Sequence, residues 1–209
     1  MRSMTRVAAA VALTGIVALG GCAGGTGNPT GGASTPRYEV APSGGTVTIE
    51  PTSGLDGSAE YETDVFSIEV PSGMTATKTD RGAAGMSVDL RADGAARASV
   101  IVNVTPQKGA NDDAVNAASV VAAAQLGGSG LATDIVRSAA TWEGFAYAVQ
   151  MTFTLNLDAN GTAQVLDGIL VTTRNEARTY LVSISAEAPA GGLTSSVAYD
   201  ALRTLRLKG

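Results

Sequence analysis

The 209-residue chain has no histidine and a single cysteine, Cys22. Triads of the Ser-His-Asp and Cys-His kinds need an imidazole to carry the proton, so neither can be built. The usual zinc and copper sites draw on imidazole and thiolate, and they are excluded with them. A lone cysteine cannot close an internal disulfide. Positive charge is also short: 14 Lys and Arg stand against 19 Asp and Glu, a net −5. That balance argues against nucleic acid as a partner and against a polybasic contact with anionic lipid. Aromatics make up only 4% of the chain, beside 26 glycines and abundant alanine. This composition points to a high-GC genome more than to a function.

What is present begins at the N-terminus. Arg2 and Arg6 precede an uncharged run, VAAAVALTGIVAL, at residues 7–19. The run falls short of the ~20 apolar residues that a bilayer-spanning helix needs. A basic start, a short apolar run and small residues after it describe a secretory signal. Leu19-Gly20-Gly21-Cys22 resembles a bacterial lipobox. The resemblance implies diacylglycerol transfer to the Cys22 thiol and cleavage between Gly21 and Cys22. Two or more acyl chains would hold the protein firmly to a membrane, each buried methylene contributing ~0.8 kcal/mol. Loss of Arg2 and Arg6 with the signal takes the net charge from −5 to −7. The expected organisation is a signal over 1–21, a lipidated flexible tether over 22–60 and one folded domain over 61–209. The tether is read from AGGTGNPTGGASTP after Cys22, which has no charge and too little apolar surface to offset its ordering entropy; further on, Val47-Thr48-Ile49 is a candidate short strand set among glycines between Pro42 and Pro51.

Within the domain, Phe66-Ser67-Ile68-Glu69-Val70 and Met86-Ser87-Val88-Asp89-Leu90 alternate apolar and polar, as half-buried strands do. Asp93-Gly94 reads as a hairpin turn, followed by a strand with Val100, Val102 and Val104 on one face and Ile101 on the other. The period then changes. Asn111 or Asp112 caps a predicted helix whose Val115, Ala118, Val121, Ala122 and Gln125/Leu126 share a face. Gly127 to Gly130 ends it. A strand around 135–138 comes next, then a long one from Phe145 to Leu157, joined through Asn160-Gly161 to a partner at 163–174. Another strand covers 179–186. Thr194 or Ser195 then caps a closing helix with Val197, Leu202 and Leu205 turned inward. The predicted class is α+β, an antiparallel sheet flanked by helices.

The opening Phe66-Ser67-Ile68-Glu69-Val70-Pro71-Ser72-Gly73, the strand start at Trp142-Glu143-Gly144 and the terminal Leu202-Arg203-Thr204-Leu205-Arg206-Leu207 together resemble PsbP-like domains. The pattern is most similar to LpqN/LpqT-type lipoproteins of high-GC Gram-positive bacteria. It covers residues 61–207, with Met74 where the family often has an aromatic. The resemblance implies an α/β/α sandwich, a protein-binding role and no catalytic residues to carry over.

Other candidate sites have simpler explanations. Asn111-Asp112-Asp113 fits a helix cap better than a metal site. Asp158-Ala159-Asn160-Gly161 lacks the further oxygen ligands of a calcium loop. Gly127 to Gly130 follows a helix, whereas anions bind where one starts. A Ser-Lys dyad would need Lys78 or Lys108 buried beside a serine, and both sit in polar sequence. Trp142, the only tryptophan, is a core anchor or, alternatively, an exposed partner-binding residue. No catalytic residue, metal or cofactor is expected. The expected role is a lipid-anchored, extracytoplasmic, non-enzymatic module that binds an envelope or secreted protein. The alternative is a carrier of a lipid or other small apolar ligand.

Overall fold

The computed structural model describes residues 41–92, 99–159 and 162–209. Cys22, Gly21 and the signal lie outside the described residues, as do the Asp93-Gly94 and Asn160-Gly161 turns.

Eight strands form one sheet in the order β1-β7-β8-β9-β10-β6-β5-β4. They are β1 (Gly44–Ile49), β4 (Met74–Asp80), β5 (Met86–Ala92), β6 (Ser99–Pro106), β7 (Ala132–Trp142), β8 (Ala148–Ala159), β9 (Thr162–Arg174) and β10 (Tyr180–Pro189). Three short strands, β2 (Ala59–Glu62), β3 (Phe66–Val70) and β11 (Arg206–Leu207), make a second sheet in the order β11-β3-β2. The helices are α1 (Asp112–Gly128) and α2 (Val197–Arg203). The architecture is mixed α+β, as the alternation of residue types predicts.

The large sheet is covered diagonally. On one face α1 lies over β7, β8 and β9. Val149, Met151, Phe153 and Leu155 of β8 meet Val115, Ala118, Ala122 and Leu126 of the helix there. On the other face α2 and the small sheet lie over β10, β6 and β5. Val88, Leu90, Val100, Val102, Val104, Val182 and Ile184 pack there against Phe66, Ile68, Leu202 and Leu205. That core runs on to Ile49, Trp142, Ala148, Ile169 and Val171, so the open half of the sheet is the one beside α1, over β4, β5, β6 and β10. A strand's period of two explains how β6 serves both faces, with its valines under α2 and Ile101 on the α1 side.

Three expectations are corrected. Ordered structure begins well before residue 61, because Thr46-Val47-Thr48-Ile49 pairs in parallel with Ala139–Trp142. Ile49 is buried with Trp142 in the core, which gives this segment the apolar burial that a tether lacks. The sheet is consequently not purely antiparallel. At the C-terminal end the helix cap is Ser196, whose hydroxyl accepts from the Tyr199 N–H at 3.1 Å. This later start turns Ala198, Ala201 and Leu202 inward and leaves Val197 50% exposed. Finally, β8 starts at Ala148 and not Phe145, because a turn intervenes in which Phe145 N–H donates to the Trp142 carbonyl at 3.1 Å. Gly144, at φ 86, supplies the left-handed backbone that this turn needs.

Candidate functional site: a groove beside the first helix

The open half on the α1 side is built from alternate residues of β4, β5, β6 and β10. Register places Thr77, Asp89, Ile101 and Ser185 in one row across the strands, and Thr79, Ser87, Asn103 and Ser183 in the next. The rows run on under α1 as Leu170 and Met151, and as Thr172 and Val149. A hydroxyl- and amide-rich floor thus meets an apolar wall at the helix edge. Ala118, Ala122, Leu126, Phe153 and Leu170 line that wall, with Asn103, Ser183, Ser185 and Glu187 on the floor.

The wall is fixed by polar pins at the far side of the helix. Asn111 Oδ1 accepts from the Ala114 N–H at 2.9 Å and caps the first turn. Arg174, 8% exposed, pairs with Asp112 at 2.9 Å. Arg137 donates to Ser119 Oγ at 2.6 Å, and the Tyr147 hydroxyl donates to Asn116 Oδ1 at 3.0 Å. Burial lowers the Arg137 pKa from its ordinary value, with Tyr147 acting in the opposite direction. At the floor's edge Asp89 pairs through Oδ2 with Arg91 at 3.3 Å. Its Oδ1 is shielded from solvent and has no hydrogen-bond partner among the described residues.

The recess where floor and wall meet holds about 40 Å³. At roughly 10–15 Å³ per water this is room for about three molecules, an order of magnitude below the ~300–1,000 Å³ of small-molecule sites. The two groove carboxylates, Asp89 and Glu187, stand on strands separated by β6 and in neighbouring rows. Strand spacing puts their backbones ~10 Å or more apart.

The residues singled out in the sequence are scattered. Trp142 is 2% exposed and stacks on Phe145 with ring centroids 4.1 Å apart. It is a core residue here, and the indole is not available as a surface anchor. Asn111 and Asp112 cap and pin α1. Lys78 and Lys108 are exposed. Among the described residues no group of three or more potential metal ligands converges, and no described helix is long and apolar enough to cross a membrane.

The sequence reading missed Glu69, which appeared as one polar position of an alternating strand. Its carboxylate accepts from Gly54 N–H at 2.6 Å, Leu55 N–H at 2.7 Å and Ser58 Oγ at 2.9 Å, binding the 51–58 loop to β3. Burial raises its pKa, but those donors and nearby Arg206 outweigh it and leave the group below the ordinary value. Its own N–H donates to Thr204 Oγ1 at 2.9 Å. The only signal was Ser53-Gly54, a loop pair fifteen residues upstream of a strand acid, and nothing in sequence couples the two.

Neither a scan against family models nor a search of curated proteins finds a match. Solved structures do. Cyanobacterial PsbP from Synechocystis sp. PCC 6803 superposes with a TM-score of 0.50 at 13% identity, over 74% of this chain and 95% of that one. The fold is PsbP-like. Two further structures are similar at lower scores. LpqN of Mycobacterium tuberculosis, described as involved in cell envelope biogenesis, gives a TM-score of 0.44 at 16% identity, over 76% of this chain and 90% of that one. A protein of Bacteroides thetaiotaomicron VPI-5482 gives 0.45 at 14% identity over 69% of this chain, which spans only 45% of that protein. In PsbP-like terms, the groove lies on the face of the main sheet that α1 half covers.

Proposed function

We propose that the chain is a lipid-anchored, extracytoplasmic, non-enzymatic module that docks another protein of the envelope or a secreted one. The observation that carries this reading is the uncovered half-sheet beside α1. It is a broad surface with a hydroxyl and amide floor and an apolar edge. Such a surface suits a polypeptide, which brings N–H donors and apolar side chains together. It lacks the concave volume that a small ligand fills. The absence of histidine and the acylation expected at Cys22 support a role without acid-base or thiol chemistry. The anchor follows from Leu19-Gly20-Gly21-Cys22.

Two experiments test the reading. Photo-crosslinkers placed at Ser185 and Asn103 in the native lipidated protein should trap one specific protein, and a crosslinker on exposed Val197 should not. The same adduct from all three positions would sink the groove as the docking surface. Replacing Cys22 with Ala should move the folded protein from the membrane to the soluble fraction. Continued membrane association after signal removal would refute the anchor.

A further inference from the structure

The two edges of the large sheet are treated differently. An edge strand presents a row of N–H and C=O groups without partners, and proteins blunt such edges with charge or proline. β4 follows this rule, with exposed Lys78 and Asp80 along seven residues. β1 does not. Its sequence GGTVTI has no charge and no proline, and among the described residues it pairs only with β7. The one irregularity, between Gly44 and Thr46, leaves residues 46–49 in regular register. Alternate residues of that stretch point N–H and C=O away from β7.

A cleft of about 500 Å³ opens where β1 ends, between residues 48–51 and the turn at 141–147. Half-buried Phe145 and Tyr147 contribute to its lining and lie beside the buried Trp142, whose Nε1–H has no acceptor among the described residues. Glu50 and Glu143 also line it; both are exposed, and neither belongs to an ion pair among the described residues. The cleft therefore offers aromatic surface with uncompensated negative charge at the end of an unguarded edge.

We infer that β1 and this cleft form a strand-addition site for an extended segment of a partner protein, one that carries an apolar residue for the cleft followed by Lys or Arg. Main-chain pairing along residues 46–49 supplies affinity, and the cleft and its two carboxylates supply selectivity. The chain's own AGGTGNPTGGASTP is a poor occupant, with two prolines and no large apolar residue. A second copy fits less well too. A six-residue strand pair buries far less than the ~1,600 Å² of a stable interface, and each copy brings the same excess of negative charge.

This inference deepens the protein-docking reading and rests on it, so its test must separate the two. A phage-displayed library of random nonapeptides is selected on the full lipidated chain in detergent micelles. The selected peptides should alternate β-branched residues and carry an apolar residue followed by Lys or Arg. Their affinity should fall at least tenfold in Glu50→Lys/Glu143→Lys and in Thr46→Lys/Thr48→Lys. Both pairs of positions are exposed, so the variants fold. Hydrogen-exchange mass spectrometry should show new protection in residues 44–49 on peptide binding. Binding that survives both variants but is lost in Ser185→Arg would keep the docking reading and overturn the edge. A selection that yields no binders, peptides without basic residues, or a dimer in sedimentation that Thr46→Lys/Thr48→Lys dissolves would each overturn it as well.

Discussion

Gly168 sits in the middle of β9, directly opposite Phe153 of β8, on the face that α1 covers. A Cβ at this position would fall inside van der Waals range of the Phe153 ring, 2.9 Å from Cδ2 and nearer still to Cε2 and Cζ. The ring therefore lies across the glycine, and it is held from above by Ala122 and Leu126. Gly168→Ala forces it to move into a packed layer, at a cost of about 1–3 kcal/mol. The backbone at Gly168 is outside the left-handed region, so alanine gains back ~0.4–1 kcal/mol from the unfolded state. The balance is a loss of about 1–2 kcal/mol, read by urea denaturation of the chain lacking residues 1–22. For a chain of this size that lowers Tm by roughly 2–8 °C. Phe153→Leu in the same background makes room, so the double variant should lose about 1 kcal/mol less than the two single losses combined. Additive losses, or a Gly168→Ala protein more stable than the parent, would refute the ring-over-glycine account.

Three further outcomes follow from other contacts. Thr204→Val removes the acceptor for the Glu69 N–H and should cost about 1–3 kcal/mol in the same titration, because Thr204 is buried; a loss below ~0.5 kcal/mol would contradict the bond's role. Asn111→Ala removes the α1 cap and should cost about 1 kcal/mol, with earlier hydrogen exchange in the first turn of α1 as its signature. Glu69 has a folded pKa below its ordinary 4.5, so its contribution is present above that value and is lost as pH falls through the lowered one. Glu69→Gln should therefore flatten the acid limb of a stability-against-pH curve below about pH 4.5, and an unchanged limb would show that the 51–58 loop is held by something else.

Much of the fold was legible because its signals are local. Asn111 with two acids ahead of an alanine-rich run marks α1 correctly, and its buried positions match the predicted face apart from half-buried Val121, buried Ser119 and exposed Gln125, beside which Leu126 takes the inward place. The alternation at residues 66–70, 86–90 and 98–105 gives three strands and their inward residues. What could not be read depends on partners distant in sequence. Val47-Thr48-Ile49 reads as a candidate strand inside a tether bounded by prolines, and nothing local shows that its partner is the strand ending at Trp142. Val197 and Ser196 differ from the predicted phase by one or two positions, and one position turns a helical side chain by about 100°. The groove was the least accessible feature. Ser87, Asn103 and Ser183 are ordinary polar strand positions, and only the register of β5, β6 and β10 brings them into one row.

The pairing of β1 with β7 bears on the order in which the molecule can assemble. Gly44 meets Ser138, and Leu207 meets Phe66, so both ends of the described chain are stitched to partners far along the sequence. Contacts of such high order slow folding, because long loops must close before any pairing rewards them. The first strand to emerge during synthesis waits for the seventh, and the small sheet waits for nearly the last residues. Until then Thr46–Ile49 stands unpaired, and Phe66–Val70, paired with β2 alone, keeps one edge open, the type of segment that aggregates. A chain of this topology has reason to meet a chaperone while it folds, and loss of its last four residues would leave β3 without β11.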